Sequence, residues 1–253
     1  MSDNKAIPPA YPAASILLIR DGRTGMEVLM MERAKTMRFA PGAFVFPGGK
    51  VDQQDTQLWR WKRYLKNERT VPKDFAFRIA ALRELHEEVD IVLSNNPMKA
   101  TLSKSKPFEA ALIEQNAQLS LNAMVPFAHW VTPETMPRRF DTHFYLAEDI
   151  GHYEKHDGNE AISARWVKPR EILADWAADQ IPLMFPTRLN LMKLARSSTV
   201  KAALLASKQA PVVRILPEFS KKGRKIDLTI LQNSGYDVSE ATERELSVET
   251  VKS

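Results

Sequence analysis

The run from Asp74 to Val89 constrains the fold more than any other feature, because it has no interior glycine or proline and carries two distinct faces. It predicts a helix of about four turns, with Asp74 as a plausible N-cap. Ile79, Leu82, Leu85 and Val89 form an apolar stripe, while Glu84, Glu87 and Glu88 stand at i, i+3 and i+4 and project from a common face. Three carboxylates so close repel one another unless something positive sits among them, and Mg²⁺ or Mn²⁺ with oxygen ligands meets that need. A solvated acidic face is the plainer alternative for an arbitrary helix with three glutamates.

Upstream, the apolar runs 14–20 and 27–31 flank Asp21-Gly-Arg-Thr-Gly25 and predict a hairpin of two largely buried strands. The stretch Pro41-Gly-Ala-Phe-Val-Phe-Pro-Gly-Gly-Lys50 reads as a tight loop leaving a strand. From Asp55 to about Asn67, Leu58, Trp61 and Leu65 at helical spacing predict a short amphipathic helix, which Pro72 ends. Trp130, Phe140, Phe144 and Trp166 fall in predicted strands, where aromatic side chains belong to the core. Two more helices are expected, one from Pro169 to Ala178 and one after Thr187. Beyond about residue 217 the chain turns basic and then polar, which predicts a strand near 226–231 and a mobile tail.

With 44% hydrophobic and 26% charged residues, the composition is that of a globular protein. No run approaches the roughly 18 apolar residues of a membrane span, and the first residues lack a signal peptide's apolar core, so a cytoplasmic location is expected. The absence of cysteine excludes disulfides, thiolate zinc sites and a cysteine nucleophile, leaving oxygen or imidazole ligands for any metal. A net charge of +5 suits an anionic partner without choosing among nucleic acid, membrane surface and small polyphosphate.

The residues around the helix resemble the Nudix signature G-x5-E-x7-R-E-U-x-E-E-x-G-U, in which U is a bulky aliphatic residue. Gly49 and Asp55 are similar to its first part, and Arg83-Glu84-Leu85-His86-Glu87-Glu88 with Ile91 to its second. Asp55 replaces the first glutamate and Asp90 the closing glycine; aspartate keeps the carboxylate at 55 and tolerates a left-handed helix end at 90. Residues 56–82, 27 of them rather than seven, separate Asp55 from Arg83. Such a split box resembles the coenzyme A diphosphatase-like branch of peroxisomal type. Arg33, Arg38, Gly42 and Phe46-Pro-Gly-Gly49 are similar to that branch's upstream pattern, with Met31 as the main departure. Trp130-Val-Thr-Pro133, Arg138-Arg-Phe-Asp-Thr142 and Phe185-Pro-Thr187 also look like it.

The resemblance implies an α/β Nudix fold, an α/β/α sandwich around a mixed β-sheet, over residues 13–217 with an insertion at about 56–74; residues 218–253 would be a partly mobile extension. It implies a hydrolase that cleaves a small-molecule diphosphate, coenzyme A or an acyl derivative first, and another nucleoside diphosphate derivative as the alternative. Glu84, Glu87 and Glu88 would hold Mg²⁺ or Mn²⁺, and Arg83 would clamp Asp55 or a helix glutamate. Arg33 and Arg38 are candidates for gripping phosphates, against a solvated basic turn; Gly48 and Gly49 would let the backbone approach the phosphates. Glu160 or Glu87 is the candidate general base. His129 and His143 have no spacing that suggests a shared site, so packing or surface roles are expected for them. Nucleic acid is a less expected partner, since a binding module has no need of three adjacent carboxylates, and a homodimer is weakly expected.

Overall fold

The computed structural model describes residues 6–36, 40–66, 69–94, 106–149, 164–220, 223–225, 236–238, 241–242 and 245. Strand β1 (Ala10–Gly22) and strand β2 (Gly25–Glu32) form the expected hairpin, turning at Gly22 and Gly25. Gly25 has φ +133°, a conformation closed to side-chain-bearing residues. The two short strands β3 (Phe44–Val45) and β4 (Gly48–Lys50) pair with β2 and β1 respectively. The predicted loop at 41–50 therefore contains sheet residues.

Downstream come β5 (Val125–Val131), β6 (Arg139–Glu148), β7 (Ala164–Val167) and β8 (Arg214–Ile215). They complete an eight-stranded sheet of order β3-β2-β1-β6-β5-β8, with β4 beside β1 and β7 beside β2. The sheet is mixed: β1 runs parallel to β6 and β5 to β8, and the remaining pairs are antiparallel. A separate hairpin joins β9 (Glu218–Ser220) and β10 (Gly223–Lys225).

The central strand β1 is apolar on both faces, as expected when helices cover both. Ile16 and Leu18 face one core with Ile79, Leu82 and Leu85 of the long helix, while Leu17 and Ile19 face the other with Ile172, Phe185 and Leu189. This period-two split makes an α/β/α sandwich.

On the first face lie α1 (Leu58–Trp61), α2 (Phe75–Val89) and α3 (Phe108–Glu114). The second carries α4 (Pro169–Ala177), α5 (Phe185–Leu194) and α6 (Val200–Gln209). Helix α2 ends as the sequence predicts, with Asp90 in the left-handed region at φ +59°. At its start Asp74 makes no side-chain cap. Its carboxylate instead accepts from Arg78 Nε and Tyr145 Oη, each at 2.8 Å, and these bonds hold its pKa below the ordinary carboxylate value despite burial.

The insertion forms three short pieces, α1 between two single 3₁₀ turns, rather than one continuous amphipathic helix. Among its described residues Trp61, Tyr64 and Leu65 are buried, and Leu58 lies on the exposed side. Trp61 Nε1 donates to Gln54 O at 2.9 Å, and Arg60 pairs with Glu109 at 2.6 Å, so the insertion is fastened to α3. The predicted strand at 226–231 lies outside the described residues. Tyr236 and Glu245, farther along, are buried against the second core, where Glu245 pairs with Arg188 at 2.5 Å. Among the described residues no helix is long and apolar enough to cross a membrane.

Candidate metal-binding active site

Arg83 organises the site. It is buried at 3% exposure and spends all three guanidinium nitrogens on named partners. Nε and Nη2 donate to the two oxygens of Asp55 at 3.1 and 2.9 Å, Nη2 also to Lys50 O at 2.9 Å, and Nη1 to Glu84 at 2.8 Å and Glu87 at 3.0 Å. Asp55 is fully buried and accepts in addition from Asp52 N at 2.8 Å. Burial alone would lower the pKa of Arg83, but the hydrogen bonds and charge of Asp55, with the charge of Glu84, raise it, so the cation is permanent. This bidentate pair bridges α2 to the segment that follows β4, and the aspartate at 55 serves where the family pattern has glutamate. The 27 intervening residues leave and return without disturbing it.

The two glycines before Asp55 have separate reasons to lack a side chain, and neither reason is a positive φ. A Cβ at Gly48 would lie 2.5 Å from Ala14 O and 2.7 Å from Ser15 Cα, because β4 presses against β1. One at Gly49 would lie 2.4 Å from Glu84 Cδ, because the Glu84 carboxylate occupies that space. Gly48 N donates to Glu88 Oε2 at 3.0 Å. The α2 carboxylates are thus docked on a strand whose backbone is bare.

Burial pushes the Glu88 carboxyl up to about 7; the Gly48 amide and Arg33 oppose the rise, and Glu84 and Glu87 add to it. Burial also raises Glu84, against the pull of Arg83. The Arg33 guanidinium is lowered by burial and partly restored by the charge of Glu88. Its backbone joins Ala43 and Gly42, at 3.0 and 3.1 Å, across the turn after β2.

The donor set is wholly oxygen, concentrated on one helix face and short of positive charge, which fits a hard divalent cation such as Mg²⁺ or Mn²⁺. With Arg83 as the local cation, Glu84 and Glu87 turn to its Nη1 and Glu88 to the Gly48 amide. Arg38 and Glu160, the other candidates, lie outside the described residues.

Against known proteins, the model of the NUDT19 Nudix domain matches residues 60–194, more than half of the sequence. The chain belongs to the Nudix family, in its NUDT19-type branch. "Putative nudix hydrolase 7" of Caenorhabditis elegans is 31% identical over 73% of this chain and 60% of its own length. "Acyl-coenzyme A diphosphatase NUDT19" of Xenopus laevis is 24% identical over 69% of this chain and 61% of its own. The chain thus spans less than two thirds of these relatives. A crystal structure of a Nudix hydrolase from Alicyclobacillus acidocaldarius is 29% identical, with a TM-score of 0.66, over 81% of this chain and 100% of that one. The Nudix fold accounts for the mixed sheet and for the helix that carries Arg83 and the glutamates.

One grouping escaped the reading of spacings. Among the described residues, His129, Asp141 and His143 bring metal-capable atoms all within 4.8 Å of one another. The histidines are 14 positions apart in sequence but directly opposite each other in the β5–β6 register. Only the strand pairing reveals this, and the sequence alone does not set it.

Proposed function

We propose that this chain is a metal-dependent Nudix hydrolase that cleaves the diphosphate linkage of a nucleoside diphosphate derivative, with coenzyme A or an acyl-coenzyme A as the preferred substrate. The observation that carries the reading is the α2 trio docked on Gly48 and Gly49 and braced by a buried Arg83–Asp55 pair. Glu84, Glu87 and Glu88 would hold Mg²⁺ or Mn²⁺, whose charge would neutralise the phosphate oxygens and favour attack by water.

The residues themselves have distinct tasks in this reaction. Asp55 holds Arg83, and Arg83 fixes the direction of Glu84 and Glu87, so that little reorganisation remains when substrate binds. Glu87 is the most exposed of the three, at 45% against 17% for Glu84, which suits it to take a proton from the attacking water. Arg33, which interacts electrostatically with Glu88, would meet a phosphate oxygen of the substrate.

The substrate preference rests on likeness to an acyl-coenzyme A diphosphatase and on Met31. That residue is the main departure from the coenzyme A-associated pattern, yet it is buried in the first core, where it serves packing rather than recognition. A cavity of about 390 Å³ beyond the loop after Arg33 sets Lys35 and Arg165 beside Phe44, with the Arg165 guanidinium 4.3 Å from the ring centroid. Its two cations, against the single carboxylate of Glu32, suit a phosphorylated end of the substrate, while the Phe44 ring lies buried beneath Arg165.

Incubation with coenzyme A, acetyl-coenzyme A, a nucleotide sugar and a dinucleotide, with Mg²⁺ or Mn²⁺ and then with chelator, tests the reading by mass spectrometry. Metal-dependent release of adenosine 3′,5′-bisphosphate from the first two is expected. Cleavage of only the others would move the substrate class, and cleavage of none would overturn the proposal.

A further inference from the structure

We propose that His129, Asp141 and His143 form a second cation site, distinct from the α2 glutamates, that takes one Zn²⁺ or a divalent transition ion of similar chemistry. Strand pairing builds it: His129 on β5 faces His143 on β6 in register, and Asp141 precedes His143 by two residues on the same face of the sheet. The imidazole rings lie against each other, tilted by 31° with centroids 4.0 Å apart, and their Nε2 atoms lie 2.5 and 4.0 Å from one carboxylate oxygen, Asp141 Oδ1.

Bonds of about 2.0–2.2 Å to a tetrahedral Zn²⁺ would set such ligand atoms roughly 3.3–3.5 Å apart. The distances found bracket that value, so small side-chain rotations suffice. A plain His–Asp hydrogen bond would account for His129 but leaves His143 beyond hydrogen-bond reach of the oxygen it faces.

The surroundings agree with a site. Asp141 Oδ2 lies 3.9 Å from Arg214 Nε, which leaves Oδ1 to the imidazoles. Phe77 packs over His143 at 4.2 Å and restrains its ring. Side-chain exposures of 16% for His129 and 30% for the other two allow an ion to enter, and three ligands leave a position for water. Two imidazoles prefer Zn²⁺, Co²⁺, Ni²⁺ or Cu²⁺, whereas the all-oxygen trio prefers Mg²⁺ or Mn²⁺. Phe77 lies seven residues before Glu84 on α2, about 10 Å along the axis, so the two sites are separate.

The test uses the full chain in equilibrium dialysis against Zn²⁺ with excess Mg²⁺ present, with the visible absorption of Co²⁺ as an independent probe. One tightly held Zn²⁺ per chain is expected, weakened at least tenfold by His143→Gln and by Asp141→Asn and unchanged by Glu87→Gln. Because a variant in a sheet can misfold, the unaltered protein provides a second reading: Zn²⁺ should protect His129 and His143 from diethylpyrocarbonate. No Zn²⁺ bound, Zn²⁺ lost only in Glu87→Gln, or no protection of the two histidines would each overturn the proposal. Failure of diphosphate hydrolysis leaves it intact, since it does not depend on that activity.

Discussion

A methyl group added at position 48 and one added at position 49 should act on different properties of the protein. In Gly48→Ala the new Cβ meets backbone, 2.5 Å from Ala14 O and 2.7 Å from Ser15 Cα, so β4 must move away from β1 or the pairing must break. Forced overpacking of this kind costs about 1–3 kcal/mol. A domain of this size loses about 2–4 °C of Tm per kcal/mol, so a fall of roughly 2–12 °C is expected. In Gly49→Ala the Cβ meets only the end of the Glu84 side chain, with Cδ and one oxygen at 2.4 Å. That end can swing aside, and alanine also reduces the freedom of the unfolded chain, so stability should change by less than about 1 kcal/mol. Yet the carboxylate is displaced by about 1 Å or more from its place opposite β4, a misplacement that costs on the order of 10²-fold in activity. Thermal melts beside metal-dependent turnover per folded molecule separate the two. Gly49→Ala turning over like the unaltered protein, or Gly48→Ala melting with it, would refute this division of roles.

Three further outcomes are expected. Asp55→Ala leaves the Arg83 cation buried without its bidentate partner and should cost about 3 kcal/mol in chemical denaturation, near the low end for a broken buried pair because Glu84 and Glu87 remain; an unchanged midpoint would contradict the clamp. Glu245→Ala should cost about 3–5 kcal/mol because it leaves the buried Arg188 cation without its carboxylate, and a shift under 1 kcal/mol would contradict this. Burial first, and then Arg196, push the Lys193 ammonium down to about 8 from its ordinary 10.5. Between those values the unfolded chain binds more protons, so stability should rise with pH from 8 to 10.5 and Lys193→Met should flatten the rise in a series of melts.

Helix α2 was legible because its signals agree: an uninterrupted run, an apolar stripe, and an aspartate at 90 that accepts the left-handed turn. The hairpin of β1 and β2 was legible for the same reason. Elsewhere a local signal was overruled by a distant partner. Asp74 looks like a cap, but Arg78 and Tyr145 take its carboxylate. The insertion reads as one helix, but packing of Trp61 and Tyr64 against α3 breaks it into short pieces and leaves Leu58 outside. The glycines at 48 and 49 read as part of a tight loop whose backbone is open to phosphates, and the close approach of β1 and of Glu84 gives each a further reason to lack a side chain. Arg83 and Asp55 were readable as a pair only through the family pattern, since 27 residues hide their proximity. The pairing of His129 with His143 depends on the β5–β6 register and had no local signal at all.

Turnover of coenzyme A in Mg²⁺ or Mn²⁺ by the unaltered chain and by Glu87→Gln, side by side and at matched folded concentration, tests the central claim most directly. The substitution removes a charge at an exposed side chain without changing its shape, so the melting curve should be nearly unchanged while most metal-dependent turnover disappears. Near-normal turnover in Glu87→Gln would contradict the assignment of the α2 glutamates as the metal-binding centre.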